Sequence, residues 1–431
     1  MVHLKRAFKV CATLAALALS LWFVNAALMR YDEHEDKYLS FLKGKADYDV
    51  LFLGTSHVQD AVHPMQLWND YGITSFNIGN GGATIPSNYW MIQLAQKYHK
   101  PRIAVFDLYW LWESYKNDKI PLARTHQMFD TFPLSLMKLQ AVRDLHATNE
   151  GRAEAIFRFY SYHNRWKDKE FKFKLKDTFK RLFVKYKQDV TKGLPYSYVI
   201  GVSRKDVGTE TNICYEGTES TSMEYCRKII AYCKENDIIP IFMLIPYADA
   251  RRTQTSSENT DAWISALRSI LEAEGVLFLD MLDGVVDFDI DSSEGSHLNP
   301  SGARKVTDAI GAFLSETLGC QSHKDDPAFA AWHGDYDVYR QWLLAAIARQ
   351  DDFKNLLMMT NHAEVYAAVR AGNNAAFDAV EEKLIFENWS DIRFERTGAE
   401  DAAVTVTVFE RGTDREVVTR RFEKEQISGE E

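Results

Sequence analysis

The chain has little cysteine, no excess of positive charge, no internal repeat and no long low-complexity tract. Its five cysteines (Cys11, Cys214, Cys226, Cys233 and Cys320) lack the paired spacing that zinc sites use, which argues against a cysteine-based metal centre. Cys226 and Cys233 share a face of an expected helix but lie two turns apart, too far to bridge. A link from Cys214 to another cysteine is open; free, mostly buried thiols are the preferred reading. With 51 Lys and Arg against 61 Asp and Glu, the formal charge is −10. Nucleic acid is therefore a poor candidate for the main partner, because phosphate binding needs a basic face.

What is present suits a folded protein. A hydrophobic share of 46% and a charged share of 26% over 431 residues allow one large domain and a small one. The charge is uneven: residues 164–192 are rich in Lys and Arg interleaved with Phe, Tyr and Trp, and the C-terminal tail is acidic. Near the N-terminus, His3, Lys5, Arg6 and Lys9 precede an apolar run from Val10 to Met29, about 20 residues, enough for one helical crossing of a bilayer. The basic flank would stay cytoplasmic and the rest would be exported. A cleaved signal peptide competes, since Val24-Asn25-Ala26 resembles a small-residue cleavage site. The uncleaved anchor, residues 1–30, is preferred because the run is longer than most signal cores. Both readings place the bulk of the chain outside the cytoplasm.

A polar stalk is expected over 31–47. Strands and helices then alternate. Strands are expected at Val50–Leu53, Thr74–Ile78, Arg102–Leu108, Ile239–Ile245 and Val276–Asp280. Helices are expected at Pro64–Tyr71, Asn88–Tyr98, Glu224–Asn236, Asp261–Glu274 and Ser301–Leu318. This alternation predicts an α/β fold over 48–320, a flavodoxin-like doubly wound parallel sheet of five strands with its site beyond the carboxyl ends of the strands. A helical insertion at about 115–222 interrupts it, with helices expected at Phe132–Leu145, Arg152–Tyr162 and Glu170–Tyr186. Insertions of that size over an active face usually form a lid or substrate wall. From 325 to 431 a small α+β domain is expected. It has a helix at Tyr336–Gln350 and strands at Glu364–Val369, Leu384–Glu387, Ile392–Arg396, Val404–Glu410 and Glu416–Phe422. Arg411-Gly412-Thr413-Asp414 reads as the last hairpin turn.

Three short segments can carry chemistry. The first strand ends at Gly54-Thr55-Ser56-His57, which puts the Ser56 hydroxyl on a sharp turn. A serine after a strand is common, so this segment alone is weak. The second strand ends in Asn77-Ile78-Gly79-Asn80-Gly81-Gly82, whose N–H groups can stabilise an oxyanion or simply serve a flexible turn. Glu294-Gly295-Ser296-His297-Leu298-Asn299 offers an imidazole with a carboxylate three residues before it. Asn299 and Ser301 also have a capping task there, next to Pro300. A hydroxyl, a base and an orienting acid are the minimum for acyl transfer through a serine ester. Glu294 fits the acid by spacing, with Asp291 and Asp289 as substitutes. In the insertion, Tyr160-Ser161-Tyr162-His163-Asn164-Arg165-Trp166 can stack on sugar rings and hold an anion through Arg165, although a helix end with buried aromatics and a solvated Arg is the commoner outcome. His57, His163 and Arg165 are the candidate substrate-binding residues. The basic-aromatic stretch reads first as a solvated helix face and second as a surface for anionic lipid or an acidic polymer.

In order and spacing these three segments resemble the SGNH/GDSL hydrolase superfamily, over roughly 48–318 without the insertion. Position by position, the resemblance implies Ser56 as nucleophile and oxyanion donor, Gly82 as a second donor, His297 as base and Glu294 as acid. It implies no metal or organic cofactor. Two positions depart from the pattern. The acid is usually Asp, and here it is Glu294. The family's Gly-x-Asn after the third strand is replaced by Phe106-Asp107-Leu108-Tyr109-Trp110-Leu111-Trp112, so an amide donor worth about 3 kcal/mol is missing. Asn80, or a donor from the insertion, is the candidate replacement. The chain is most similar in layout to membrane-anchored, extracytoplasmic bacterial members. Some of these resemble accessory proteins that work beside multispanning membrane O-acyltransferases on cell-surface polymers. The implied function is a serine esterase or O-acyltransferase acting on ester-linked acyl groups, acetyl above all, of extracytoplasmic glycans. The rival, from another class, is a non-catalytic surface binding or assembly protein on a retained fold.

Overall fold

Val50–Leu53 (β1) is the spine of the larger sheet: every residue in it is buried, with Val50 and Phe52 on one face and Leu51 and Leu53 on the other. The computed structural model describes residues 2–28, 33–44, 48–112, 122–157, 189–194, 221–247, 257–294, 297–360, 364–373, 377–378, 392–397 and 403–428. By compactness the chain divides into Met1–Gly44 with Tyr115–Gln188, and Lys45–Ser114 with Asp189–Glu431.

Among the described residues, the elements of the first of these units are helices. Val2–Leu28 (α1) contains one stretch, Lys5–Val24, long and apolar enough to cross a membrane, with a mean hydropathy of 1.9. Within the expected stalk, Glu33–Lys43 forms a helix (α2) that buries Tyr38 and Phe41, three residues apart and so on one face. Tyr38 packs on Phe132 with ring centroids 5.9 Å apart, and Lys138 Nζ donates to the Phe132 carbonyl at 2.9 Å. From the insertion come Leu122–Phe129 (α6), Leu136–Leu145 (α7) and Asn149–Ile156 (α8); Ser135 and Thr148 cap the last two. The expected helix at Glu170–Tyr186, the end of that expected at Arg152–Tyr162, and the residues His163 and Arg165 lie outside the described residues.

The second unit carries a five-stranded, a four-stranded and a two-stranded sheet. In chain order it runs α3 (Ser56–Ala61), α4 (Pro64–Tyr71), β2 (Ser75–Asn77), α5 (Ile85–Ala95), β3 (Ile103–Asp107), α9 (Thr221–Glu235), β4 (Ile239–Leu244), α10 (Ser257–Ala273) and β5 (Leu277–Asp280). It continues with α11 (Phe288–Asp291), a short hairpin of β6 (Ser292–Glu294) and β7 (His297–Leu298), and α12 (Pro300–Ala312). The five strands pair in the order β2-β1-β3-β4-β5, all parallel, the doubly wound arrangement expected of the sequence. One face of the sheet joins Val50, Phe52, Val105, Ile241 and Met243 to Val58 of α3, Leu67 of α4 and Val306 and Ile310 of α12 in a single core. On α9, Cys226, Ile229, Ile230 and Cys233 are buried; both cysteines are free, and burial pushes each thiol up to about 12.

The small C-terminal domain is a separate four-stranded mixed sheet, ordered β11-β10-β8-β9, built from β8 (Val365–Ala371), β9 (Ile392–Arg396), β10 (Val404–Glu410) and β11 (Arg415–Phe422). Only β8 and β9 run parallel. Val404, Val406 and Val408 alternate inward, and the turn of Arg411–Asp414 closes where expected, with Asp414 N donating to Glu410 O at 2.9 Å. The strand expected at Leu384–Glu387 lies outside the described residues. The preceding helices Ala330–Ile347 (α13) and Phe353–Met359 (α14) tie this domain to the larger sheet. Trp332 packs on Trp68 with centroids 5.4 Å apart, and the fully buried Lys192 pairs with Asp335 and lies 4.7 Å over the Trp332 ring. Such a pair removes a cation from water at the domain boundary only because the carboxylate and the ring face meet it.

Candidate active site

The turn after β1 leaves no room for a side chain at Gly54. A Cβ there would lie 2.3 Å from Val58 Cγ2 and 2.6 Å from Asp107 Cβ. Thr55 then caps α3, its hydroxyl accepting from His57 N at 3.1 Å, so Ser56 is the first helical residue. The Gly54 carbonyl accepts from Asn80 N at 2.9 Å, which stitches the β1 turn to the loop after β2. Asn77 ties the same loop to α3 from below. Its side-chain Nδ2 donates to the carbonyls of Val58 (2.8 Å) and Val62 (2.9 Å), and its Oδ1 accepts from Gly79 N at 2.9 Å.

His297 comes from the other end of the domain. It sits in β7, where its backbone pairs antiparallel with Glu294, and the next turn of chain is fixed by Asn299. That side chain caps α12 by accepting from Ser301 N (2.9 Å) and Gly302 N (3.2 Å), and also reaches Met358 of α14, at 3.0 Å from Nδ2 to Sδ. The fold brings His297 Nε2 to 2.8 Å from Ser56 Oγ across 241 residues of chain. With Nε2 accepting the serine proton, the ring of a neutral His297 carries its own proton on Nδ1.

The other expected site residues fall as follows. Gly82 sits in the β2 loop at a left-handed φ of 68°, in a turn tied to α3 by Gly81 N donating to Gln59 Oε1 at 3.2 Å. Asn80 is fully buried; its Nδ2 lies 3.5 Å from the Gly81 carbonyl. The Glu294 side chain lies outside the described residues, as does that of Asp289. Asp291 is committed elsewhere: Oδ1 accepts from Ser301 Oγ at 2.7 Å, and Oδ2 accepts from Lys305 Nζ at 2.7 Å and Asp287 N at 2.9 Å. That buried carboxylate holds α11 to the first turns of α12 rather than serving as a substitute for Glu294.

Two further carboxylates lie at the site by virtue of the fold. Asp60, one helical turn after Ser56 and so on the same face of α3, places Oδ2 4.0 Å from His297 Nε2; the i,i+4 spacing was the available signal. Asp107 stands at the end of β3, where the amide of the Gly-x-Asn pattern is missing. It accepts from Thr55 Oγ1 at 2.8 Å and from Tyr109 N at 3.1 Å, and burial pushes its carboxyl up to about 7 against the hydrogen bonds from Thr55.

The packing of the His297 loop gives a direct test. A Cβ on Gly302 would meet the Asp291 carbonyl oxygen at 2.4 Å. Gly302→Ala should therefore force α11 and α12 apart and destabilise the fold by roughly 1–3 kcal/mol. A thermal melt within error of the parent would show that this approach is slack.

No protein-family model matches the chain, and no curated protein sequence does. Among solved structures it is similar to a provisionally assigned acylhydrolase from Bacteroides fragilis, with 11% identity, a TM-score of 0.33 and coverage of 67% of this chain and 100% of the other. It is also similar to a family two carbohydrate esterase from Clostridium thermocellum, in complex with cellohexaose, with 10% identity, a TM-score of 0.28 and coverage of 63% of this chain and 65% of the other.

Proposed function

We propose that this chain is a serine-dependent esterase or O-acyltransferase for ester-linked acyl groups, acetyl above all, on extracytoplasmic glycans or cell-surface polymers. The observation that carries the reading is the 2.8 Å approach of Ser56 Oγ to His297 Nε2 at the carboxyl end of β1. It is supported by the SGNH-like order of the three segments in the sequence.

In the proposed reaction His297 Nε2 takes the Ser56 proton as Oγ bonds to the acyl carbonyl carbon. The carbonyl oxygen becomes an oxyanion, received by the N–H groups of Ser56 and Gly82, with the Asn80 amide as a further donor. Collapse breaks the ester C–O bond, and the departing alkoxide takes the proton from His297. Water or a sugar hydroxyl then gives its proton to His297 and attacks the acyl-serine; the acyl–Oγ bond breaks and Ser56 Oγ takes the proton back from His297. The choice of attacking hydroxyl divides hydrolysis from transfer. Glu294, beside His297 in the hairpin, is the acid of this scheme; Ser56 and His297 need no cofactor for it. His57, His163 and Arg165 are proposed to contact the acceptor. α1 would anchor the chain in a membrane, with the bulk outside the cytoplasm and a multispanning membrane O-acyltransferase as a partner beside it.

A non-catalytic binding role is the second reading. Asp107 favours it, because both oxygens of the carboxyl group that ends β3 are already engaged by Thr55 and Tyr109, and no amide donor stands there. A fluorophosphonate probe separates the two. Covalent labelling of the parent at Ser56, lost in His297→Ala, is the expected result. Absence of labelling under conditions that modify a working esterase would favour the binding role.

A further inference from the structure

A second histidine, which makes or breaks no bond in that scheme, lies against the first. His57 is buried, and its ring plane is 14° from that of His297 with centroids 5.2 Å apart. Tyr109 packs on the same His57 ring at 3.9 Å, and Tyr247 packs on Tyr109 at 5.5 Å. Thr55 Oγ1 is within 3.0 Å of His57 Nδ1 and 2.8 Å of Asp107 Oδ2, and it accepts from His57 N at 3.1 Å.

A hydroxyl has one proton and two acceptor positions, so these three contacts fix its state. With Asp107 ionised, Thr55 must give its proton to Asp107. Its oxygen then accepts from the backbone N–H of His57 and from Nδ1–H of the same residue. The His57 tautomer is thereby set, with the proton on Nδ1. The other oxygen of Asp107 accepts from Tyr109 N at 3.1 Å. One buried carboxylate thus holds His57 through Thr55 and holds the ring that packs on His57 through its backbone.

We propose that His57 is a positioning residue for His297. The Asp107–Thr55 chain locks its ring and tautomer, and the locked ring keeps His297 at the angle from which Nε2 reaches Ser56. This rests on the reading of Ser56 and His297 as the reacting pair. A neutral ring beside His297 also presents π density to the imidazolium that forms when His297 takes the serine proton, whereas a protonated His57 would oppose it.

Among the described residues, the charged and titratable groups placed around the pair include Asp107 at the end of β3, Tyr109 after it with Tyr247 against it, His297 in β7 and, facing His297, Asp60 of α3. Because burial lifts Asp107 to about 7, the locked arrangement is present above neutrality. As pH falls through that value Asp107 takes a proton and becomes a donor to Thr55, and the Thr55 proton turns toward His57 Nδ1. The Nδ1–H tautomer is then lost.

The test uses the full chain with 15N-labelled histidine, the His57 signals assigned through His57→Gln. At a pH of about 8 the parent and Thr55→Ser should show His57 as the Nδ1–H tautomer. Thr55→Val should lose that tautomer and move the His297 ring resonances. On an aryl ester, Thr55→Val should lower kcat roughly ten- to a hundredfold with KM within about twofold, and Thr55→Ser should recover most of it. The parent should show an inflection in kcat near neutrality that Asp107→Asn lacks. An unchanged His57 tautomer and unchanged His297 resonances in Thr55→Val would overturn the proposal, whatever the kinetics. If instead the parent turns over no ester while the resonances behave as described, the esterase reading fails and the placement of His57 against His297 stands.

Discussion

Ser56→Ala should lower turnover of a short-chain aryl ester by about four to six orders of magnitude and leave the fold intact. The oxygen removed is the one His297 Nε2 faces at 2.8 Å, so the variant keeps the base but has nothing for it to deprotonate. Backbone donors and binding would supply only the small residual rate. The structural cost is slight: Ser56 is half-buried at the start of α3, the cap belongs to Thr55, and one side-chain hydrogen bond is worth about 1 kcal/mol. His297→Ala should cost a similar factor, and the double variant should be little worse than either alone, because the two groups act as one unit. Additive losses, or a Ser56→Ala protein with parental turnover, would remove the serine from the chemistry.

Asn77→Ala should destabilise the larger sheet by about 3–5 kcal/mol, the largest stability effect expected here. The side chain is fully buried and makes three hydrogen bonds, to the carbonyls of Val58 and Val62 and from Gly79 N. Truncation leaves buried backbone groups without those partners, at about 1–3 kcal/mol for each left unsatisfied. The same bonds join the β2 loop to α3, so Gly82 and Ser56 should lose their fixed relation and ester turnover should fall before the protein melts. The check is a denaturation midpoint together with turnover at a temperature where the variant remains folded. A midpoint within about 1 kcal/mol of the parent would mean that water replaces the amide at little cost. Asn77→Asp is informative beside it. A carboxylate still accepts from Gly79 N but turns acceptors toward two carbonyls, and should be no better than Ala.

The strands were legible because parallel strands buried on both faces read as uninterrupted apolar runs; Val50–Leu53 and Ile239–Leu244 are such runs, and they fell where expected. Helix ends were less legible. The helix expected from Asn88 begins at Ile85, because Thr84 caps it and Pro86 fits its first turn, a signal present in the sequence but outweighed by the later apolar pattern. α2 is not legible in the sequence, because Tyr38 and Phe41 stand among charged residues and only tertiary packing makes them a face. Of the site, Ser56 and His297 could be named from their segments, whereas Asp60 and Asp107 could not be read as neighbours. One depends on the phase of a short helix, the other on which side of β3 meets the β1 turn.

The sequence by itself determined the kinds of groups available and the ends of strands on which they sit, because local apolar runs, glycines and caps act over a few residues. It also determined an apolar segment able to cross a bilayer. Only the tertiary structure decided that an imidazole and a hydroxyl 241 residues apart meet, that Asp291 serves α12 instead of the histidine, and that Asp107 reaches His57 through Thr55. Those outcomes follow from strand order and from the close approach that Gly54 and Gly302 permit, distances set by packing between segments remote in the chain.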